Sequence, residues 1–266
     1  MTGKNRKERL DAILVTRGFF NSRSKAAAAV MAGLVAVNGR KAEKPGAPVA
    51  VDDKIAVRET DSFVSRGGMK LEKAFAVFGL DAGGKVALDA GASTGGFTDC
   101  LLQKGAKKVI AVDVGYGQLD WNLRKNPKVE VLERTNIRYI DASMLSETPD
   151  LATLDLSFIS LKKVLPAVIE CLRPGFEVVA LVKPQFEAGK KRVGKGGVVR
   201  DADVRRQVLS DIWDFASECG CNVMGLAESG LKGPKGNTEY LMYLADKKTS
   251  VNVPLPDKHE TLKTLF

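Results

Sequence analysis

The chain of 266 residues carries 41 Lys and Arg against 32 Asp and Glu, a formal charge of +9, with 44% hydrophobic content. That length and composition suit a large domain with a small companion and a real core, and the charge favours a polyanionic partner. No apolar run approaches the ~18–20 residues of a membrane span, Met1 to Arg9 has no signal-peptide character, and lone His259 with scattered Cys100, Cys171, Cys219 and Cys221 excludes Ser-His-Asp, Cys-His and zinc chemistry. A cytoplasmic protein with no membrane partner and no metal is expected, with Lys, Asp, Glu or a cofactor doing any chemistry.

Residues 1–60 hold 12 of the basic and 6 of the acidic residues, so two-thirds of the excess charge lies in under a quarter of the chain. Leu10, Ile13 and Leu14 recur at helical spacing, and Ser22 is a suitable cap for a second helix that passes through Lys25, Ala26–Ala29 and Val30 to Gly33. Val35 and Val37 alternate ahead of Asn38-Gly39, a strong hairpin signal. Val49 and Val51, then Ile55 and Val57, predict two more short strands. Arg9, Arg17, Arg23, Lys25, Arg40 and Lys41 punctuate this α+β module, as phosphate contacts require, although a merely solvated basic surface would look similar. The stretches "ERLDAILVTRG", "SRSKAAAAVMAGLVAVNGRK" and "KPGAPVAVDDKIAV" resemble the S4 RNA-binding domain. The resemblance implies structured RNA read by shape and backbone, and of the basic residues Arg9, Arg23, Lys25, Arg40 and Lys41 are the candidate contacts.

The second domain is placed at 61–248, followed by a tail at 249–266 that holds Pro254 and Pro256. "SRGGMKLEKAF" reads as a helix start with Ser65 as cap and Lys70 in the first turns. Strands are predicted at Lys85–Asp89, Lys107–Val112, Val129–Leu132, Leu151–Asp155, Glu177–Val182, Asn222–Ala227 and Glu239–Ala245. Helices are predicted at Gly96–Lys104, Leu161–Leu172 and Asp201–Glu218. This alternation argues a Rossmann-like α/β fold, a mostly parallel seven-stranded sheet covered on both faces. Ligands of such sheets bind outside the carboxyl ends of the strands.

At the first strand's end stands Asp89, then Gly91, Ser93, Thr94, Gly95, Gly96 and Phe97 leading into a helix. Ser93 replaces the middle glycine of a dinucleotide fingerprint, and no Gly-Lys-Ser/Thr follows for a Walker loop. An acid at position 89 suits a ligand with a cationic amino group rather than a pyrophosphate. Asp113 closes the second strand 22 residues after Gly91, where a carboxylate can accept from ribose hydroxyls. Together these anchors fit S-adenosylmethionine; as isolated residues they would be ordinary turn and cap positions. Asp155 ends the fourth strand and Lys183 the fifth, and a lysine ending a buried strand needs a partner, for which neighbouring Asp155 is the candidate. "DLSF" lacks the prolines of the Asn/Asp-Pro-Pro-aromatic segment of amino-group methyltransferases, which favours a hydroxyl acceptor.

The stretches "SRGGMKL", "LDAGASTGGFTDCLL", "AVDVGYGQL", "TLDLSFISL", "LVKPQFE", "KGGVVRD" and "GNTEYL" are similar to the TlyA family, bacterial ribosomal RNA 2′-O-methyltransferases with an S4 domain, often labelled haemolysin A. The resemblance spans nearly all of 7–245. It implies a FtsJ-type Lys-Asp-Lys-Glu tetrad at Lys70, Asp155, Lys183 and Glu239, S-adenosylmethionine as cofactor, and cytidine 2′-hydroxyls of ribosomal RNA or ribosomal subunits as acceptors. Some members carry an Arg-x-Trp linker, where this chain has Val57-Arg58-Glu59-Thr60.

Lys183 is expected to deprotonate or hydrogen-bond the attacking hydroxyl. Free lysine titrates near about 10.4, so the carboxylates nearby favour positioning over the base role. Lys183–Arg206 carries eight basic residues, including Lys190, Lys191 and Arg192, and reads as a basic lid over RNA or as a solvated loop. Phe158, Phe186 and Tyr116 are open to either base stacking or core packing. Rival readings are a non-catalytic RNA-binding or haemolysin-like protein and a nicotinamide oxidoreductase.

Overall fold

Periodicity turns into structure most directly at the N-terminus, where Leu10, Ile13 and Leu14 line the buried face of α1 (Leu10–Thr16). A computed structural model describes residues 7–20, 22–57, 62–233, 235–249 and 254–266, divided into two compact units at 1–62 and 63–266. In the smaller unit β1 (Lys7–Arg9) precedes α1, and α2 (Arg23–Met31) starts at Ser22, whose hydroxyl accepts from the Lys25 N–H. Strand β2 (Val35–Val37) turns at Asn38 and Gly39, both with positive φ as a tight hairpin requires, into β3 (Arg40–Lys41). β4 (Pro48–Ala50) pairs with β1, and β5 (Ile55–Val57) pairs with β2. Val51 lies outside the expected strand, exposed in the turn where Asp53 caps the Ala50 N–H. Arg58, Glu59 and Thr60 of the linker motif lie outside the described residues.

The larger unit opens with α3 (Gly67–Phe78), which ends at Gly79 in a left-handed turn. Arg66 rather than Ser65 occupies the cap position; the Ser65 hydroxyl instead accepts from the Gly67 N–H, 3.3 Å away. There follow β6 (Val86–Ala90), α4 (Gly96–Gln103), β7 (Lys108–Val112), α5 (Trp121–Arg124), β8 (Val129–Leu132) and β9 (Leu151–Leu154). After these come α6 (Leu165–Glu170), β10 (Glu177–Val182), α7 (Pro184–Glu187), α8 (Ala202–Glu218), β11 (Cys221–Glu228), β12 (Tyr240–Asp246) and α9 (Lys258–Leu265). The helix expected over 161–172 is broken into a 3-10 turn, Leu161–Lys163, and α6. Pro166 has no N–H to return to the preceding turn, so one continuous helix cannot form.

The seven strands lie in the order β11-β12-β10-β9-β6-β7-β8, with β12 the antiparallel member between β11 and β10 and the others parallel. This is the Rossmann-like sheet expected from the sequence. Alternating residues serve its two faces: Leu88, Ala152, Leu154 and Val182 pack with α6, α8 and α9, while Ala87, Leu151 and Leu181 pack with α3 and α4. The last residues are therefore part of this unit, with Leu262 of α9 buried in the core. Cys100, Cys171 and Cys221 are buried free thiols packed as small hydrophobes, and Cys219 is a half-buried free thiol. Among the described residues no helix is long and apolar enough to cross a membrane, and no group of three or more His, Cys, Asp and Glu is placed to hold a metal.

Candidate active site

Strand order reverses between β6 and β9, so the loops after them part at their carboxyl ends. Gly91 follows β6 at φ +85°, and a Cβ there would stand 2.7 Å from the Asp155 carbonyl after β9. Only glycine lets the loops approach this closely. The same logic applies where α3 meets α4: a Cβ on Gly96 would fall 2.2 Å from Ser65 Oγ and 2.9 Å from the Gly68 nitrogen.

A cleft of about 440 Å³ opens at this point, lined by Gly91, Ser93, Asp113, Asp155 and Ser157, and also by Gln118, Thr135 and Asn136. Ser93, a non-glycine residue at φ +49°, is held by its own N–H, which donates to Asp113 Oδ2 at 2.8 Å. The Gly115 N–H donates to the other Asp113 oxygen at 2.7 Å. Each oxygen retains a lone pair for a ligand hydroxyl. The lining contains two carboxylates and no Lys or Arg, which suits a ligand with a cationic centre and opposes a phosphate.

The other predicted cofactor residues support the cleft from behind or beside it. Asp89 is fully buried within the sheet, its carboxylate accepting from Thr98 Oγ1 at 2.6 Å and Thr153 Oγ1 at 3.0 Å. Burial pushes it up to about 6 against the pull of those hydroxyls. Phe97 is a core residue beneath α3, Gly95 and Gly96 are buried, and Thr94 is exposed with its carbonyl accepting from the Asp120 N–H. None of these four lines the cleft.

Beside the cleft stand two ion pairs. Lys183 follows β10, next to β9, and its Nζ lies 2.5 Å from Asp155 Oδ1 and 3.3 Å from Ser157 Oγ. Glu239 directly precedes β12, the other neighbour of β10, where Val182 is registered against Tyr240. Its carboxylate, 1% exposed, meets Lys70 Nζ of α3 at 2.6 Å. The four residues therefore converge because β10 is flanked by β9 and β12 and because α3 packs across that face.

Several participants carry no sequence pattern. Gln185 of α7 donates from Nε2 to Glu239 Oε1 at 3.3 Å, and its own Oε1 is the one buried side-chain polar atom without a partner among the described residues. Such an unmet acceptor costs about 1–3 kcal/mol. Glu187 accepts from Ser160 Oγ at 2.5 Å and from the Leu161 N–H at 2.8 Å, tying α7 to the loop after β9. Burial, with no cation in contact, raises its carboxyl above the usual range. That loop throws Phe158 outward at φ +64° and 91% exposure, 5.1 Å from the Phe186 ring. Neither Phe158 nor Tyr116, at 69% exposure, is core. Phe158 and Phe186 line a second groove of about 760 Å³ together with Gln185, Arg138, Lys163 and Lys190.

The basic segment after α7 forms two short turns, Lys190–Arg192 and Lys195–Gly197, with Lys190, Lys191 and Arg192 exposed. Arg205 of α8 pins its far end through the Arg200 carbonyl at 2.7 Å, and Asn237 holds the Val199 N–H at 3.0 Å. In the small unit Arg9, Arg23, Lys25, Arg40 and Lys41 are all exposed. Arg9 and Arg23 also pair with buried Asp11 at 2.8 and 3.2 Å, and chiefly the Arg9 hydrogen bond brings that acid down to about 2. Arg17 is spent on the chain itself, donating to the Val51 and Asp53 carbonyls.

Comparison with known proteins bears on both units. Residues 63–245 match the FtsJ-like methyltransferase family and residues 8–55 match the S4 domain. The chain is 48% identical over 243 residues to the 16S/23S rRNA (cytidine-2′-O)-methyltransferase TlyA of Mycobacterium tuberculosis, covering 90% of each. It is 43% identical over 236 residues to Hemolysin A of Brachyspira hyodysenteriae, covering 88% of this chain and 98% of that one. A solved structure from Streptococcus thermophilus that carries a provisional hemolysin name shares 41% identity at TM-score 0.73, over 98% of this chain and 96% of that one.

Proposed function

The chain belongs to the TlyA family of FtsJ-like methyltransferases, and from that premise we propose that it methylates cytidine 2′-hydroxyls of ribosomal RNA with S-adenosylmethionine. The observation that carries this reading is the Lys183–Asp155 pair, set at the wall of an acidic cleft at the sheet's switch point.

Asp113 would hold the ribose hydroxyls of the cofactor through its free lone pairs, while Gly91, Ser93 and Gln118 line its path and Asp155 faces its positive end. When bound, the cofactor supplies an electrophilic methyl group on a sulfonium centre. Lys183 has three N–H groups; two point to Asp155 and Ser157, and the third is left for the attacking ribose oxygen. Asp155 Oδ2, the oxygen not paired with Lys183, would accept from the hydroxyl and take its proton as the C–O bond forms and the methyl–sulfur bond breaks, sulfur leaving as a neutral thioether. Alignment of the oxygen with the methyl carbon supplies much of the rate. Lys70 and Glu239 act behind this pair, fixing the face on which the nucleotide lies.

RNA would follow the second groove, its backbone against Arg138, Lys163 and Lys190 and the acceptor base against Phe158. Arg9, Arg23, Lys25, Arg40 and Lys41 of the S4 unit would supply further phosphate contacts, as would Lys191 and Arg192. The carbonyls that occupy Arg17 make it a structural residue rather than a contact. Lys183→Ala tests the assignment: binding of S-adenosylmethionine by calorimetry stays within about threefold of wild type, while methyl transfer falls by at least about 10³-fold, since alignment and proton handling are lost together. Retained transfer contradicts the assignment.

A further inference from the structure

We infer that Gln185 reads the acceptor base, selecting cytidine over uridine through its side-chain carbonyl. The inference rests on the methyltransferase reading above and concerns the same groove. Gln185 cannot turn its amide around: Nε2 donates to Glu239 Oε1 at 3.3 Å, and reversal would set a carbonyl oxygen against a carboxylate. Its acceptor end is therefore fixed by the Lys70–Glu239 pair, which holds Glu239 in place at 2.6 Å. That acceptor, Oε1, meets no donor from the protein although it is closed to solvent. Every other buried side-chain polar atom among the described residues is satisfied, so the exception falls on a residue of the groove that Phe158 and Phe186 also line.

The two rings, 5.1 Å apart at their centroids, leave no room between them, so a base stacks on the outer, exposed Phe158 ring, and displacement of Phe186 brings the base edge toward this oxygen. Cytosine carries an exocyclic amino group and satisfies the acceptor. Uracil carries a carbonyl at the same position and sets lone pair against lone pair. Discrimination by an amide fixed in one orientation is a general device of nucleic-acid readers. The phosphate-facing cations Arg138, Lys163 and Lys190 on the same groove carry no such information. Gln185 thus acts on specificity, whereas Lys183 and Asp155 act on transfer.

The test uses the full-length protein and ribosomal RNA transcripts in which the mapped acceptor is cytidine, uridine or the riboside of pyrimidin-2-one, which lacks the amino group. The wild type is expected to prefer cytidine over both by roughly 10- to 100-fold in kcat/KM. Gln185→Leu removes the acceptor and brings the three rates within about threefold of one another, while S-adenosylmethionine binding shows that the fold is kept. Gln185→Asn, which retracts the carbonyl by one methylene, serves if the leucine variant does not bind cofactor, and is expected to lose the same preference. Retention of the preference in a variant that binds cofactor overturns the inference, as does a natural acceptor that maps to uridine. Absence of ribose methylation by the wild type on any of the RNAs would instead sink the methyltransferase reading.

Discussion

Glu239→Gln should destabilise the large unit sharply, because it leaves the Lys70 ammonium buried without its counter-charge. Glu239 is 1% exposed and Lys70 8%, and they meet at 2.6 Å. Removing one partner of a buried pair costs about 3–5 kcal/mol, whereas replacing both with apolar residues of similar size is often close to neutral. For a unit of this size each kcal/mol moves the midpoint by about 2–4 °C, so Glu239→Gln lowers it by roughly 6–20 °C. Lys70→Met with Glu239→Leu should recover most of that loss; the Gln185 amide, deprived of its acceptor, retains a cost of about 1–3 kcal/mol. Urea unfolding followed by tryptophan fluorescence reads this unit alone, since Trp121 and Trp213 both lie in it and are the only two in the chain. Neither variant should transfer methyl at the wild-type rate. A Glu239→Gln protein within about 1 kcal/mol of wild type, or a double variant no better than the single, refutes the reasoning.

Asp89 gives a pH dependence of definite sign. Its folded-state value of about 6 lies above the ordinary 3.8, so the folded protein binds a proton that the unfolded chain has already released. That stabilisation is complete below about 3.8 and is lost as pH rises through about 6, a difference of order 3 kcal/mol. Asp89→Asn should flatten the stability profile between about pH 4 and about pH 6, and an unchanged profile would show that Asp89 is not its source. In the small unit, Arg40→Ala and Lys41→Ala should each reduce the slope of log affinity for RNA against log salt by about 1. Arg17→Ala should instead leave the slope alone and loosen the turn at Val51–Asp53, measured as thermal stability, because its guanidinium is already bonded there. A lowered slope for Arg17→Ala would place it among the RNA contacts.

How much of this was legible depended on whether a feature repeats along the chain. The seven strands of the large sheet announce themselves as apolar runs, and strand ends locate Asp113, Asp155 and Lys183 with no structure at all. The pairing of Lys183 with Asp155 follows from two adjacent strands ending together. Lys70 and Glu239 do not follow so: they lie 169 residues apart and meet only because α3 crosses beside β12. Resemblance, not spacing, brought them together at the outset. Strand β1 is three charged residues with no alternation to read, and α9 follows Pro254 and Pro256, which argue only against a strand and leave the tail unassigned. Gln185 and Glu187, in the four-residue α7, and Ser157, in the loop after β9, are single polar residues whose type alone says nothing of a partner. The exposure of Phe158 is a property of its left-handed backbone, invisible in the string. Conversely, Asp89 and Phe97 look like ligand contacts by position, yet the sheet and α3 enclose them.

The central claim is transfer of a methyl group to a ribose hydroxyl of ribosomal RNA. Its most direct measurement is incubation of the protein with both ribosomal RNAs and methyl-labelled S-adenosylmethionine, followed by alkaline hydrolysis. Methylation of a 2′-hydroxyl blocks cleavage of the adjoining phosphodiester, so the label should appear in alkali-resistant dinucleotides whose first member is cytidine, and should vanish with Lys183→Ala. Label recovered in mononucleotides, on a base instead of a ribose, would contradict the account.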